Sequence, residues 1–279
     1  MLKKMFKVTM IVVLLGFSFF YTEKVTKIVR KKDPIMIEIN KIKDDKYIQS
    51  IGPIINEDEY IVGINGCEVD INKSYNKMKS VGKFKEELIV MKQVKDNDNL
   101  DNKYIISGNK MNKNISIIFI LNNDINEDII EYLNSKKITI NYFVDKNYLE
   151  KNTMMIKFLS KYNNIYYYGD NGIYEDKYII YANNLIGINS NNESSYCLTD
   201  KKDEKLLKLC TSYQMKTIKT DYIKNDLYNN VKEKLSNGSI ITINSNDLNN
   251  VKASINYIVS RGYNIVTLDN LFNENKKCN

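Results

Sequence analysis

The 279-residue chain contains no histidine. Imidazole is the side chain that changes charge nearest neutral pH and a common metal ligand. Every mechanism in which this chain supplies an imidazole base, acid or metal ligand is therefore excluded. Tryptophan is also absent, and proline occurs only twice. The four cysteines, Cys67, Cys197, Cys210 and Cys278, contain no C-x-x-C pair, so the usual spacing of a zinc site is missing. They read as isolated small buried residues. A disulfide between Cys197 and Cys210 stays open for an exported chain, because spacing does not dictate connectivity. Cys197 has no histidine to activate it, and there is no G-x-S-x-G elbow and no Walker loop. Gly169-Asp170-Asn171-Gly172 is a turn, too short for a dinucleotide fingerprint.

Charge is present but unevenly placed. The formal net charge is +7, and the first 34 residues hold eight Lys or Arg against Glu23 and Asp33. The remainder is nearly neutral, so its body is not read as a nucleic-acid binder. Lys3, Lys4 and Lys7 precede an apolar run from Val8 to Tyr21. A basic stretch before an apolar one is an export signal. Gly16-Phe17-Ser18 is a poor cleavage site, and Phe19-Phe20-Tyr21 suits a membrane interface. Residues 5–21 therefore read as an uncleaved single-pass anchor, with the main domain extracytoplasmic. Secretion after cleavage is the alternative. Residues 23–33 form a basic stalk suited to anionic lipid.

The domain reading is 1–34 anchor and stalk, 35–110 a small α+β module, and 111–279 the main domain. In the module, Ile35–Ile39 and Tyr60–Gly63 read as strands, Ser74 as a helix cap and Val81-Gly82 as a helix end. From Ile115 strands and helices alternate. Strands fall at Ile115–Leu121, Thr139–Val144, Ile165–Tyr168, Ser195–Leu198 and Lys216–Lys219, with one helix expected over Tyr148–Tyr162. The last third is the clearest unit. Asn237-Gly238 marks a turn, Ser239–Ile243 a strand buried on both faces, and Leu248, Val251, Ile255, Ile258 and Val259 a helical stripe. Arg261-Gly262 ends that helix, and Asn264–Val266 returns as a strand. This β-α-β pattern implies a parallel α/β sheet, in which chemistry sits beyond the carboxyl ends of the strands.

Residues 113–273 resemble the polysaccharide deacetylase family, the NodB-homology domain of carbohydrate esterases. The residues that carry the likeness are Asn237–Ile241, Arg261–Leu268 and Ile140-Asn141-Tyr142-Phe143-Val144, the last similar to the family's A-T-F-F-V strand. Residues 60–110, including Asp70–Tyr75, are similar to a leader in some clostridial relatives. The resemblance implies a distorted (β/α) barrel. It also implies removal of acetyl groups from glycans by water activated on a divalent metal, which one Asp and two His hold. A second Asp is the base and a late His the acid. This sequence departs from that pattern throughout. T-F-D-D-G aligns with Ile118–Asn122, so Ile120 and Leu121 replace the aspartates. The metal histidines fall near Tyr168 and Gly172, and the late acid becomes Asn244. Ser195–Leu198 lacks the arginine of R-P-P-Y-G.

The expectation is a catalytically inactive deacetylase-like protein with its metal site lost. It binds peptidoglycan or another cell-wall glycan, or acts as a scaffold at the envelope. The alternatives are a divergent esterase with a rearranged site, and a structural partner of another membrane protein. Asp124, Tyr168, Asp170 and Asn244 are the ligand-binding candidates, since carboxylates, amides and phenols hydrogen-bond and stack on sugars. Solvated loop residues are the simpler account of them, and core packing is the simpler account of Tyr166-Tyr167-Tyr168.

Overall fold

The computed structural model describes residues 18, 21–22, 24–26, 28–95, 100–122, 125–190, 194–273 and 278. The anchor expected over 5–21 lies almost wholly outside them. Among the described residues, no helix is long and apolar enough to cross a membrane. The chain forms two compact units: Met1–Ser50 with Asn65–Asp96 and Asn275–Asn279, and Ile51–Ile64 with Asn97–Glu274.

Strands β1 (Ile54–Asn56) and β2 (Glu59–Ile61) belong to the second, larger unit, and β3 (Gly66–Val69) and β4 (Met91–Val94) to the smaller one. The module expected over 35–110 is therefore not one continuous segment. In the smaller unit, Ile35–Ile39 is part of helix Pro34–Ile42, not a strand. The Asp33 carboxylate accepts from the Ile35 N–H at 2.9 Å, and Pro34 occupies the first turn, where no N–H is needed. Ile35, Met36 and Ile39 are buried while Ile37 is 43% exposed, which is helical and not alternating burial. Asp70, not Ser74, caps helix Ile71–Val81; Ser74 is buried and accepts from the Val90 N–H at 2.9 Å. Gly82, at φ 76°, ends the helix as expected. β3 and β4 pair antiparallel, and a disulfide joins Cys67 to Cys278.

The larger unit continues with β5 (Tyr104–Ser107), β6 (Asn114–Leu121), β7 (Asn141–Val144), β8 (Asn164–Tyr167) and β9 (Tyr196–Thr199). Then come β10 (Lys216–Lys219), β11 (Tyr222–Ile223), β12 (Ile240–Ile243) and β13 (Asn264–Ile265). One sheet has the order β11-β12-β6-β7-β8, with β13 also on β6, and the other β1-β2-β5-β10-β9. Apart from the β1–β2 hairpin, every pairing between these described strands is parallel. The helix expected over Tyr148–Tyr162 breaks at Asn152 into Lys146–Lys151 and Thr153–Leu159.

The expected barrel is an α/β fold with two ladders: among the described residues none joins β8 to β9 or β10 to β11. Side chains stand where those ladders would run. The Tyr174 hydroxyl donates to the Tyr167 carbonyl and accepts from the Leu198 N–H, both at 3.0 Å, bridging β8 and β9. The Thr220 hydroxyl donates to the Ile240 carbonyl beside β11. Strand alternation divides the core. Ile117, Phe119, Leu121, Tyr142, Val144 and Tyr167 pack toward the helices. Ile118, Ile120, Phe143 and Tyr166 pack toward Tyr60, Ile105, Tyr196, Leu198 and Ile218 from the other sheet.

Candidate functional site

The carboxyl ends of β6, β7, β8, β9, β11 and β12 surround a cavity of about 640 Å³. Each strand contributes the residues at or just past its end. These are Ile120 and Asn122, Asp145, Tyr168, Thr199 and Asp200, Tyr222 and Lys224, and Asn244. The turn Asn171-Gly172 and the start of helix Glu204–Ser212 add the remaining wall. A cavity of this size is ample for a small ligand.

Ile120, Tyr168, Gly172 and Asn244, which stand at separate family positions in the sequence, line this one space. Leu121 does not; it faces the helices, because adjacent residues of β6 point to opposite sides. Asp170 also stays off the cavity lining. Its carboxylate accepts from the Asn171 amide at 3.2 Å, and its backbone pairs with Ile173. Asp124 lies outside the described residues. Tyr166, Tyr167 and Tyr168 are all buried, so these three form no exposed stacking platform.

Several wall residues are not apparent from sequence reasoning. Asp145 is only 3% exposed and accepts from the Asn147 N–H at 2.9 Å and the Asn171 N–H at 2.7 Å. Its position between a strand and a helix is a cap signal that identifies it in retrospect. Asp203 is likewise a cap, accepting from Lys205 and Leu206, each at 3.0 Å. Tyr222 meets Tyr168 edge to face, with ring centroids 6.0 Å apart. Burial pushes both phenols above their ordinary value; the contact between the two hydroxyls lowers Tyr168 and raises Tyr222 further. Neither phenol can act as a base near neutral pH.

The residues do not fit the ion that the deacetylase resemblance implies. Ile120 and Leu121 are hydrocarbon, imidazole is absent, and the buried Asp145 carboxylate is committed to two backbone donors. Among the described residues no group of three or more Cys, Asp or Glu is placed to hold a metal.

The fold is that of the family 4 carbohydrate esterases. The wild-type BA3943 protein of Bacillus anthracis, a family 4 pseudoenzyme, matches with TM-score 0.61 at 20% identity, over 88% of this chain and 96% of its own. A BA3943 mutant with restored enzymatic activity also matches at 0.61, with 19% identity, over 88% of this chain and 100% of its own. The Bc1960 peptidoglycan N-acetylglucosamine deacetylase matches at 0.52 and 17% identity, over 61% of this chain and 92% of its own. At such identities the likeness is one of fold. By sequence, the uncharacterised YlxY protein of Bacillus subtilis (strain 168) is 31% identical over 108 residues, 36% of this chain. That match spans about a third of the relative's length, 33%. No protein-family model matches the chain.

Proposed function

We propose that this protein is a catalytically inactive polysaccharide deacetylase-like protein that binds cell-wall glycan through the cavity at the strand ends. The observation that carries the proposal is the substitution of that cavity. Ile120, Tyr168, Gly172 and Asn244 gather where the family's chemistry needs carboxylate and imidazole. Such a wall can hydrogen-bond and pack on a sugar, but it cannot activate water. On this reading the protein needs no divalent metal. The likeness of fold to a family 4 pseudoenzyme, over 88% of this chain, is in keeping with it.

The same reading puts the larger unit outside the cell membrane, with residues 5–21 as the anchor. The two disulfides, Cys67–Cys278 and Cys197–Cys210, support an oxidising compartment.

The test is to incubate purified protein with acetylated chitin oligomers and with peptidoglycan, with and without Zn²⁺ or Mn²⁺. Acetate release and retention on the insoluble glycan are both measured. Retention without acetate release is expected. Metal-dependent acetate release would overturn inactivity and favour a rearranged esterase. Absence of retention would remove the glycan and leave a scaffold role.

A further inference from the structure

The cavity wall carries three lysines that the loss of deacetylase chemistry does not explain. Lys201 lies on the turn after β9, Lys205 in the first turn of helix Glu204–Ser212, and Lys224 just after β11. Two sides of the cavity therefore supply them. The first turn is fixed: the Thr199 hydroxyl donates to the Lys201 carbonyl at 2.9 Å and accepts from the Lys201 N–H at 3.3 Å.

None of the three ammonium groups has an acidic partner among the described residues, in contrast to lysines off the cavity. Lys202, the next residue, pairs with Asp58 and with Glu57 at 3.6 Å. Lys219 pairs with Glu59 at 2.7 Å. The acids on the cavity are engaged differently. Asp145 and Asp203 accept from backbone N–H groups, which leaves Asp200 as the wall carboxylate without such a bond among the described residues. Three ammonium groups without acidic partners among the described residues thus border the space, alongside the Asp200 carboxylate and the neutral amides of Asn122, Asn171 and Asn244.

We infer that the cavity selects an anionic glycan, one bearing a carboxylate or phosphate group that the three lysines hold while the amides bind the sugar hydroxyls. This inference rests on the glycan-binding reading and sharpens its ligand class. The attraction is electrostatic and partly screened, so it weakens as salt rises.

The experiment compares binding of three soluble probes to the full chain: polygalacturonate, a glycerol-phosphate polymer and a neutral N-acetylated chitin hexamer. At least one anionic polymer is expected to bind more tightly than the hexamer. A higher affinity for polygalacturonate assigns a carboxylate, and for the glycerol-phosphate polymer a phosphate. Each single substitution, Lys201→Gln, Lys205→Gln or Lys224→Gln, is expected to weaken anionic binding by about 2- to 5-fold, as for exposed ion pairs. The triple variant is expected to lose about 10-fold or more of anionic binding and to lose less than this for the neutral hexamer. Lys202→Gln, off the cavity, is expected to change none of these affinities. Thermal unfolding of each variant checks that the fold is intact. Equal binding of all three probes, or undiminished anionic binding by the triple variant, would overturn the inference and leave glycan binding standing. If no probe binds, the inference and the reading beneath it both fall.

Discussion

The two ends of the parallel strands are made from the same residue types and use them in opposite ways. At the amino end, polar groups are consumed by the fold. The Asp269 carboxylate accepts from the Asn164 amide and the Tyr196 hydroxyl at 3.0 Å each, and from the Tyr166 hydroxyl at 3.4 Å. Asn141, wholly buried, donates to the Ile117 carbonyl at 3.1 Å and accepts from the Leu268 N–H at 2.9 Å. Gly238 N–H donates to the Asn114 carbonyl at 2.9 Å. At the carboxyl end, amides, ammonium groups and the Asp200 carboxylate line open space, and three lysines there have no acidic partner among the described residues. Buried polar atoms must be satisfied for the chain to fold, whereas atoms facing a cavity can be satisfied by a ligand. The contrast separates a structural end from the end at which ligand recognition is proposed.

The sharpest way to break this comparison is at the closed end. Gly238 sits at φ 81°, and a Cβ there would collide with the Gly108 carbonyl oxygen. Gly238→Val is expected to cost about 3 kcal/mol or more in denaturant unfolding. A loss below about 1 kcal/mol would show that this end is not rigidly closed. Next in size is the Cys197–Cys210 disulfide, which joins β9 to helix Glu204–Ser212, both on the cavity wall. Replacing both cysteines by alanine is expected to cost about 3 kcal/mol, read as a lower Tm under oxidising conditions, with parent and variant converging when both are reduced.

Asp269→Ala is expected to cost about 2 kcal/mol, because two buried phenols lose their acceptor. The same phenols set the alkaline limit. Burial, chiefly, raises Tyr166 and Tyr196 above the ordinary 10.0, so the unfolded chain gives up these protons first. Their contribution is complete below about pH 10 and is lost as pH rises beyond it. The tyrosinate absorbance of these two rings, taken as the difference from a Tyr166→Phe, Tyr196→Phe variant, is expected to appear with unfolding and not before it. Early titration of these rings would show that the closed end admits water. The smallest effect on stability belongs to the open end. Asn244→Ala is expected to stay within about 0.5 kcal/mol of the parent while reducing retention on cell-wall glycan. A large destabilisation would place Asn244 with the structural residues instead.

Much of the α/β unit is legible in the chain because apolar β-branched strands and capped amphipathic helices alternate from Ile115 onward. The segment before it is less so. Ile35–Ile39 fits a strand by its apolar residues, yet the Asp33 cap and Pro34 start a helix there. β1, β2 and β5 look like parts of a separate module, but β5 is hydrogen-bonded to β10, more than a hundred residues later. A pairing that remote leaves no trace in local periodicity, and neither does the Cys67–Cys278 bond, across 211 residues.

The sequence by itself determined that these 279 residues supply no imidazole to any chemistry, since no fold can place a side chain the chain lacks. It also determined that two aliphatic residues, Ile120 and Leu121, stand where the family resemblance puts carboxylates. Only the tertiary structure decided that Ile120 meets the cavity while Leu121 is buried toward the helices. The phase of a strand acquires meaning only when its two faces are covered differently. Tertiary structure likewise brought Lys201, Lys205 and Lys224 to one wall, because crossovers between parallel strands return distant loops to the same end of the sheet.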